Sequence, residues 1–151
     1  MASDFTSEFV AVPVRDHMAS LWPPGWTRQK WVTGRELVWC VGSLDAPTDK
    51  ITVPKGYPFN GASVPSIFTW IYPRAHPKYL QAAALHDFIY EHLGHRYTRK
   101  EADQIFEEAM IALDVHAFHA RVIYLAVRAG GWPYWWRRYG HPEKKGTANA
   151  Y

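Results

Sequence analysis

Cysteine is almost absent from this sequence of 151 residues, because Cys40 is the only one. A single cysteine excludes an internal disulfide and a cysteine-based zinc cluster, and it suits a small apolar residue buried in a strand. Long hydrophobic runs are missing too, since no apolar stretch approaches the roughly 20 residues that a membrane-spanning helix needs. The N-terminal residues have neither a basic head nor an apolar run. We therefore expect no secretory signal and synthesis in a cytosol.

An excess of charge of either sign is also missing. The formal net charge of +3 is too small to indicate a nucleic-acid partner, and charged residues make up only 21% of the chain. Hydrophobic residues make up 48%, which is typical of a globular protein, and the length fits a single domain over residues 1–151. Aromatic residues are plentiful, with eight Trp, nine Tyr and seven Phe. Such rings are frequent in dense cores, at interfaces and at membrane surfaces.

The pattern along the chain predicts an α+β fold. Residues 1–62 contain β-branched and aromatic runs broken by Gly and Pro, which predict strands at 9–14, 31–33, 37–41 and 51–54. Gly34-Arg35 indicates a tight hairpin between the second and third strands, and Pro54-Lys55-Gly56 indicates a turn. Residues 63–140 are mainly helical, and 141–151 are expected to be a flexible tail. We expect a small N-terminal β-subdomain packed on a core of three to four helices.

Four helices are predicted in that C-terminal part. The first is short and runs from Ser63 to Tyr72, and the second runs from His76-Pro77 to about Leu93, with Gly94 as its left-handed C-terminal residue. Thr98 and Glu101 form a capping box that begins the third, whose apolar residues recur at the helical period through Leu113. The fourth spans about His116 to Ala129 and ends at Gly130-Gly131.

Residues 76–113 are thus predicted to form a helical hairpin, and its polar residues are the main functional candidates. The helix over 77–93 is apolar nearly all round, so it should be buried, and His86 and Asp87 need partners there. Asp103 lies at the edge of the apolar face of the next helix, within reach of His86 in an antiparallel pair. Asp103 would orient the ring, and the other ring nitrogen would accept a proton from water. The alternative is a structural pair, with Asp87 capping backbone amides.

Asp87 points about 100° away from His86 on the helix, which suits a second task. A carboxylate near a loop of free carbonyl groups is a typical Ca²⁺ ligand set. The candidate loop follows Gly56. The predicted calcium ligands are Asp87 together with Tyr57, Phe59, Asn60 and Gly61.

Two resemblances extend this interpretation. The segments Gly61-Ala62-Ser63-Val64-Pro65, Leu85-His86-Asp87-Phe88-Ile89-Tyr90 and Ala102-Asp103, with the final helix, resemble a family of short uncharacterised proteins of tailed phages and prophages (domain of unknown function 1353). Over about a quarter of the chain, the two central helices are similar to the phospholipase A2 superfamily, particularly its viral capsid and disulfide-poor microbial types. Its motif reads His-Asp-x-x-Tyr and then Ala-Asp-x-x-Phe.

The second resemblance implies His86 as the general base, Asp103 as its partner, Tyr90 as a hydrogen-bond donor supporting Asp103, and Asp87 as the Ca²⁺ ligand. The loop differs from that of the superfamily, because it lacks the Gly-x-Gly core and contains Pro58. The implied function is a phage-encoded hydrolase acting on host membrane phospholipid during entry or lysis. The alternative is a non-enzymatic virion or accessory protein with a structural His/Asp cluster.

A C-terminal segment joins aromatic rings to cations, which suits an interfacial membrane anchor. The expected partner is therefore a phospholipid surface, and the alternatives are other virion proteins or packing on the β-subdomain. The protein would be made in the host cytoplasm and could be incorporated in the virion. The predicted contact residues are Trp132, Tyr134, Trp135, Trp136, Arg137 and Arg138.

Overall fold

The computed structural model describes residues 3–6, 8–14, 30–59 and 77–140. The strands in these ranges are β1 (Asp4–Phe5), β2 (Ala11–Val14), β3 (Lys30–Thr33), β4 (Leu37–Val41), β5 (Asp49–Val53) and β6 (Pro58–Phe59). The helices are α1 (Pro77–His92), α2 (Arg99–Ala112), α3 (Ala117–Gly130) and α4 (Trp132–Tyr139).

The strands form two antiparallel sheets of three strands each, in the orders β1-β4-β5 and β2-β3-β6. In the first sheet Leu37 pairs with Val53 and Val41 with Asp49. This register places Trp39 opposite Ile51, and both side chains are buried. Because alternate residues of a strand point to opposite faces, the face with Trp39 and Ile51 enters the core, and Lys50 and Thr52 on the other face are exposed. Cys40 also lies on that other face and is buried, as the sequence predicts.

The predicted strands are confirmed, but the predicted hairpin at Gly34-Arg35 is wrong, because β3 and β4 belong to different sheets. Gly34 lies instead where the chain passes from one sheet to the other, and its N–H donates to the carbonyl of Val10 at 2.6 Å. A Cβ atom at position 34 would lie 2.6 Å from Cγ1 of Val10. Glycine is needed there for close approach and not for a hairpin turn. The turn at Pro54-Lys55-Gly56 is confirmed.

Helix α1 is the centre of the core, as its composition predicts. Residues 79–87 are all buried, and the helix packs on α2 and contacts strands of both sheets. The buried apolar residues of the strands and of the helices form one cluster. A β-subdomain packed on a helical core is therefore confirmed as an α+β fold.

The start of α2 is also as predicted. The hydroxyl of Thr98 accepts a hydrogen bond from the Glu101 N–H at 3.2 Å, and the Glu101 carboxylate accepts one from the Thr98 N–H at 2.6 Å. These two bonds satisfy amides that have no partner within the helix. The face of α2 that carries Ala102, Phe106 and Ala109 is buried, as expected.

The predicted left-handed conformation of Gly94 is wrong, since the positive φ angles among the described glycines belong to Gly42, Gly56 and Gly140. Gly94 is required for space: a Cβ there would lie 2.2 Å from the ring of Tyr139. The Tyr139 hydroxyl accepts a hydrogen bond from the Gly94 N–H at 3.3 Å and donates one to the Tyr90 carbonyl at 2.8 Å. These contacts hold α4 against the end of α1.

The predicted short helix at 63–72 and the tail at 141–151 lie outside the described residues. Among the helices that are described, none combines the length and the apolar character needed to cross a membrane.

Replacing Gly94 with Ala should destabilise the protein by about 1–3 kcal/mol, because the new methyl group must displace the Tyr139 ring. Urea unfolding of the variant measures this loss. In a Tyr139→Ala background the ring is gone, so the same substitution should cost much less. Equal costs in both backgrounds would contradict the contact.

Candidate functional site

The structure brings His86 of α1 and Asp103 of α2 together, as the sequence predicts. The ring Nε2 of His86 lies 2.9 Å from Oδ1 of Asp103. Both side chains are enclosed, with exposed fractions of 2% and 0%. The two helices pack directly on one another, so the pair is held by the helical hairpin and not by a loop.

Asp103 is bound by more groups than His86 alone. The hydroxyl of Tyr90 donates to the same oxygen, Oδ1, at 2.5 Å. The other oxygen, Oδ2, accepts a hydrogen bond from Nη1 of Arg128 at 3.2 Å and lies 3.6 Å from Nη1 of Arg99. A carboxylate removed from water needs such partners, because an unpaired buried charge is very unfavourable.

These partners keep Asp103 ionised. Burial by itself raises the pKa of the carboxyl group, but the hydrogen bonds from His86, Tyr90 and Arg128 outweigh it. The pKa of Asp103 is therefore lower than that of an ordinary aspartate. An ionised carboxylate only accepts hydrogen bonds, so Nε2 of His86 must carry a proton and donate it to Oδ1.

The second ring nitrogen of His86, Nδ1, is buried and has no hydrogen-bond partner among the residues that the structure describes. The ring is fixed by its neighbours: its centroid lies 4.5 Å from that of Phe106, with the rings stacked, and 4.2 Å from that of Tyr90. When Nε2 carries the proton in a neutral imidazole, Nδ1 presents a lone pair. In that form the ring is an oriented base, and its lone pair has no partner among the described residues.

Tyr90 lies beside Asp103, as the sequence resemblance implies. Burial, followed by the charge of Asp103 and the hydrogen bond to it, raises the pKa of Tyr90 far above that of an ordinary tyrosine. Its hydroxyl therefore stays protonated and acts as a donor. The Tyr90 ring also packs edge-on against Trp135 of α4, with centroids 4.9 Å apart.

Asp87, the predicted calcium ligand, is also buried and lies in an acidic region of α1 with Glu91. Burial, the hydrogen bond to Glu91 and the charges of Glu91 and Asp87 raise the pKa of Tyr57. The Tyr57 hydroxyl donates to Glu91 at 2.8 Å.

The predicted calcium loop is only partly described, and the structure shows the backbone contacts of Tyr57 and Phe59. The Tyr57 carbonyl accepts a hydrogen bond from the Thr33 N–H at 3.0 Å, and Phe59 belongs to β6, where it pairs with Trp31. In the described ranges, no group of three or more His, Cys, Asp or Glu side chains is placed to hold a metal ion. Asn60 and Gly61 lie outside these ranges, and calcium binding stays a prediction.

The aromatic segment forms helix α4, which has two different faces. Trp132, Tyr134, Trp136, Arg137 and Arg138 are exposed, in keeping with a surface role. Trp135 is completely buried against Tyr90 and Tyr139, so its prediction as a contact residue is wrong. On a helix, residue 135 lies only about 60° from residue 132 and about 100° from residue 136. The sequence pattern therefore did not separate Trp135 from its exposed neighbours.

Sequence reasoning missed the two arginines of the site. Arg99 precedes Asp103 by four residues in α2, a spacing typical of helical ion pairs, so this pair was detectable from the sequence. Arg128 comes from α3, and only the packing of α3 on α2 brings it to Asp103. The Arg99 guanidinium also donates to the Arg128 carbonyl at 2.9 Å, which joins the two helices.

The comparison with protein families gives one result. The family described as "Protein of unknown function (DUF1353)" matches residues 39–127, which is more than half of the chain. The chain belongs to this DUF1353 family.

The DUF1353 match begins in β4 and ends in α3. It includes His86, Tyr90, Arg99 and Asp103, and it stops one residue before Arg128. Helix α4 lies outside it. Comparison with curated proteins and with solved structures gives no match.

Replacing Asp103 with Asn should cost about 3–5 kcal/mol of stability, because the buried charge of Arg99 and the partly buried charge of Arg128 would lose the carboxylate. The effect should depend on pH. Since the folded pKa of Asp103 is lowered, its stabilisation is complete above the ordinary carboxyl pKa of about 4 and is lost as the pH falls through the folded value.

Urea unfolding of the wild type and Asp103→Asn between pH 7 and pH 3 measures this. The difference between the two proteins should shrink in the acid range. Asp114→Asn is the matched control, since Asp114 is exposed, has a φ of 59° that Asn tolerates and pairs with Lys78 at 3.4 Å. A difference that stays constant down to pH 3 would contradict a lowered pKa.

Proposed function

We propose that this DUF1353 protein is a phospholipase A2-like hydrolase in which His86 is the general base and Asp103 its orienting partner. The observation that carries the proposal is the buried Nδ1 atom of His86, which the described fold leaves without a hydrogen-bond partner. Most buried polar atoms have a hydrogen-bond partner. Trp39 and Trp135 also bury an unpartnered ring nitrogen, but an indole N–H is a donor only and cannot accept a proton. A general base needs its lone pair free for a proton from water.

The proposed reaction is the hydrolysis of an ester by water. A water molecule at Nδ1 of His86 gives its proton to the ring while its oxygen forms a bond to the carbonyl carbon of an ester. The carbon–oxygen bond to the leaving alcohol then breaks, and His86 returns the proton to that oxygen. Asp103 holds the ring through Nε2 and stabilises its charged form between the two transfers.

The proposed substrate is the fatty-acyl ester of a membrane phospholipid. What supports it is the sequence pattern His-Asp-x-x-Tyr followed by Ala-Asp-x-x-Phe, at His86 and Ala102, together with the exposed Trp and Arg side chains of α4. The proposed source, a tailed phage or prophage, is supported by the sequence resemblance. Tyr90 is proposed as a positioning residue, because its hydroxyl binds Asp103 and its ring packs on that of His86, and it takes no part in the proton transfers.

A second candidate function follows from one observation, the 2% exposed fraction of His86. A ring so enclosed also suits a non-enzymatic virion or accessory protein, in which His86, Asp103 and the arginines only connect helices. In that case His86→Ala would lower the free energy of unfolding by about 1–3 kcal/mol and change no activity.

Fatty-acid release from liposomes of mixed phosphatidylcholine and phosphatidylglycerol tests the proposal. Wild-type protein should release fatty acid, and His86→Ala should lower the rate by about 10²–10⁴-fold while its circular dichroism spectrum stays that of a folded protein. His95→Ala is the matched control, since His95 is exposed in the turn between α1 and α2 and should keep full activity.

Each reaction is run with added calcium and with a chelator, which also tests the predicted calcium site. Loss of release in chelator would support a calcium ligand set that includes Asp87. The absence of release by folded wild-type protein in both conditions would overturn the hydrolase and favour the structural candidate.

A further inference from the structure

One side of α3 carries large apolar side chains that face solvent. Phe118 is 67% exposed and Leu125 is 54% exposed, although both lie on a helix whose opposite side is buried through Ile123 and Val127. Phe118 and Leu125 are seven residues apart, which places them on one face of a helix, about 10 Å from each other. Val122 lies between them and is partly exposed.

The same period continues into α4. Gly131, which joins the two helices, has right-handed helical backbone angles of −81° and −14°, and Trp132 follows Leu125 by another seven residues. Trp132 and Trp136 are one helical turn apart, their ring centroids are separated by 6.1 Å, and both are about half exposed. We call these exposed and partly exposed side chains the α3–α4 apolar face, which consists of Phe118, Val122, Leu125, Trp132 and Trp136.

The charged residues of α3 and α4 themselves have one sign. From Val115 to Pro142 the sequence contains no Asp or Glu, whereas it contains four arginines. Arg137 and Arg138 are exposed on α4, and Arg121 is exposed on α3 beside Leu125, where it also binds Glu107 of α2 at 3.1 Å. The fourth, Arg128, points inward to Asp103.

We infer that the α3–α4 apolar face is an interfacial binding surface for bilayers that contain anionic phospholipid. Apolar and indole side chains insert at the level of the headgroups and upper acyl chains, and the arginines bind the lipid phosphates. The inference deepens the proposed function, on which it rests for its biological purpose, because it extends the contact surface from α4 to α3 and names the headgroup charge.

Charge favours this occupant over a second copy of the chain. In a symmetric dimer through the α3–α4 apolar face, Arg137 and Arg138 would approach the arginines of the partner. Helices α3 and α4 supply no carboxylate to balance them, whereas Arg121 is already paired with Glu107. Like charges across an interface are unfavourable. An anionic bilayer provides the missing negative charge along the whole face.

Cosedimentation with vesicles tests the inference. Wild-type protein should bind vesicles of phosphatidylcholine and phosphatidylglycerol, bind phosphatidylcholine alone at least about tenfold more weakly, and dissociate as salt is added. Leu125→Ser should weaken binding by about tenfold, since it removes one inserted side chain. Leu44→Ser is the matched control, because Leu44 is 45% exposed in the β4–β5 connection, outside α3 and α4. This variant should bind vesicles as the wild type does.

Binding is measured without hydrolysis, so the inference and the proposed function can fail separately. His86→Ala should bind vesicles like the wild type even if neither protein releases fatty acid. Equal binding by Leu125→Ser and the wild type, or no binding to anionic vesicles, would overturn the inference. Sedimentation velocity could also show that the wild type forms dimers and that Leu125→Ser abolishes them. That result would overturn the inference and assign the α3–α4 apolar face to a second copy of the chain.

Discussion

The buried carboxylate of Asp103 is the group on which the arrangement of the helices depends. Its oxygens bind His86 and Tyr90 from α1 and Arg128 from α3, and Arg99 approaches from its own helix. Each of these contacts offsets part of the cost of removing a charge from water. The three helices must therefore keep a fixed spacing, because a shift of any one would leave a charged or polar group unpaired at the centre of the core.

The same network determines what His86 can do. Asp103 binds one ring nitrogen, and Phe106 and Tyr90 fix the plane of the ring. The second nitrogen therefore points in a fixed direction. Helix α4 contributes at a distance: Trp135 packs on the Tyr90 ring, and Tyr139 binds the Tyr90 carbonyl. A short helix whose outer side is aromatic and cationic is thus connected, through two contacts, to the proposed base. Tyr90 would therefore link the proposed membrane-binding helix to the proposed catalytic pair.

The parts of the fold that depend on neighbouring residues could be predicted from the sequence. The capping box of Thr98 and Glu101 is local, and the burial of α1 follows from its composition, so the approach of His86 to Asp103 follows from the helical period. The errors arose where a distant residue decides the structure. Gly34 contacts Val10 across a sheet boundary, and Gly94 is required because Tyr139 packs on it. Neither partner can be recognised from the local sequence, and the same holds for Arg128.

The state of the His86 ring is the most direct test of this arrangement. Nitrogen-15 NMR of the protein labelled at the histidine rings distinguishes a protonated ring nitrogen from one with a free lone pair. At neutral pH the dyad predicts that Nε2 of His86 carries the proton and shows a hydrogen bond, whereas Nδ1 has the shift of an unprotonated nitrogen. A His86 ring protonated at Nδ1 and free at Nε2 would contradict the dyad, because Nε2 could not then donate to an ionised Asp103.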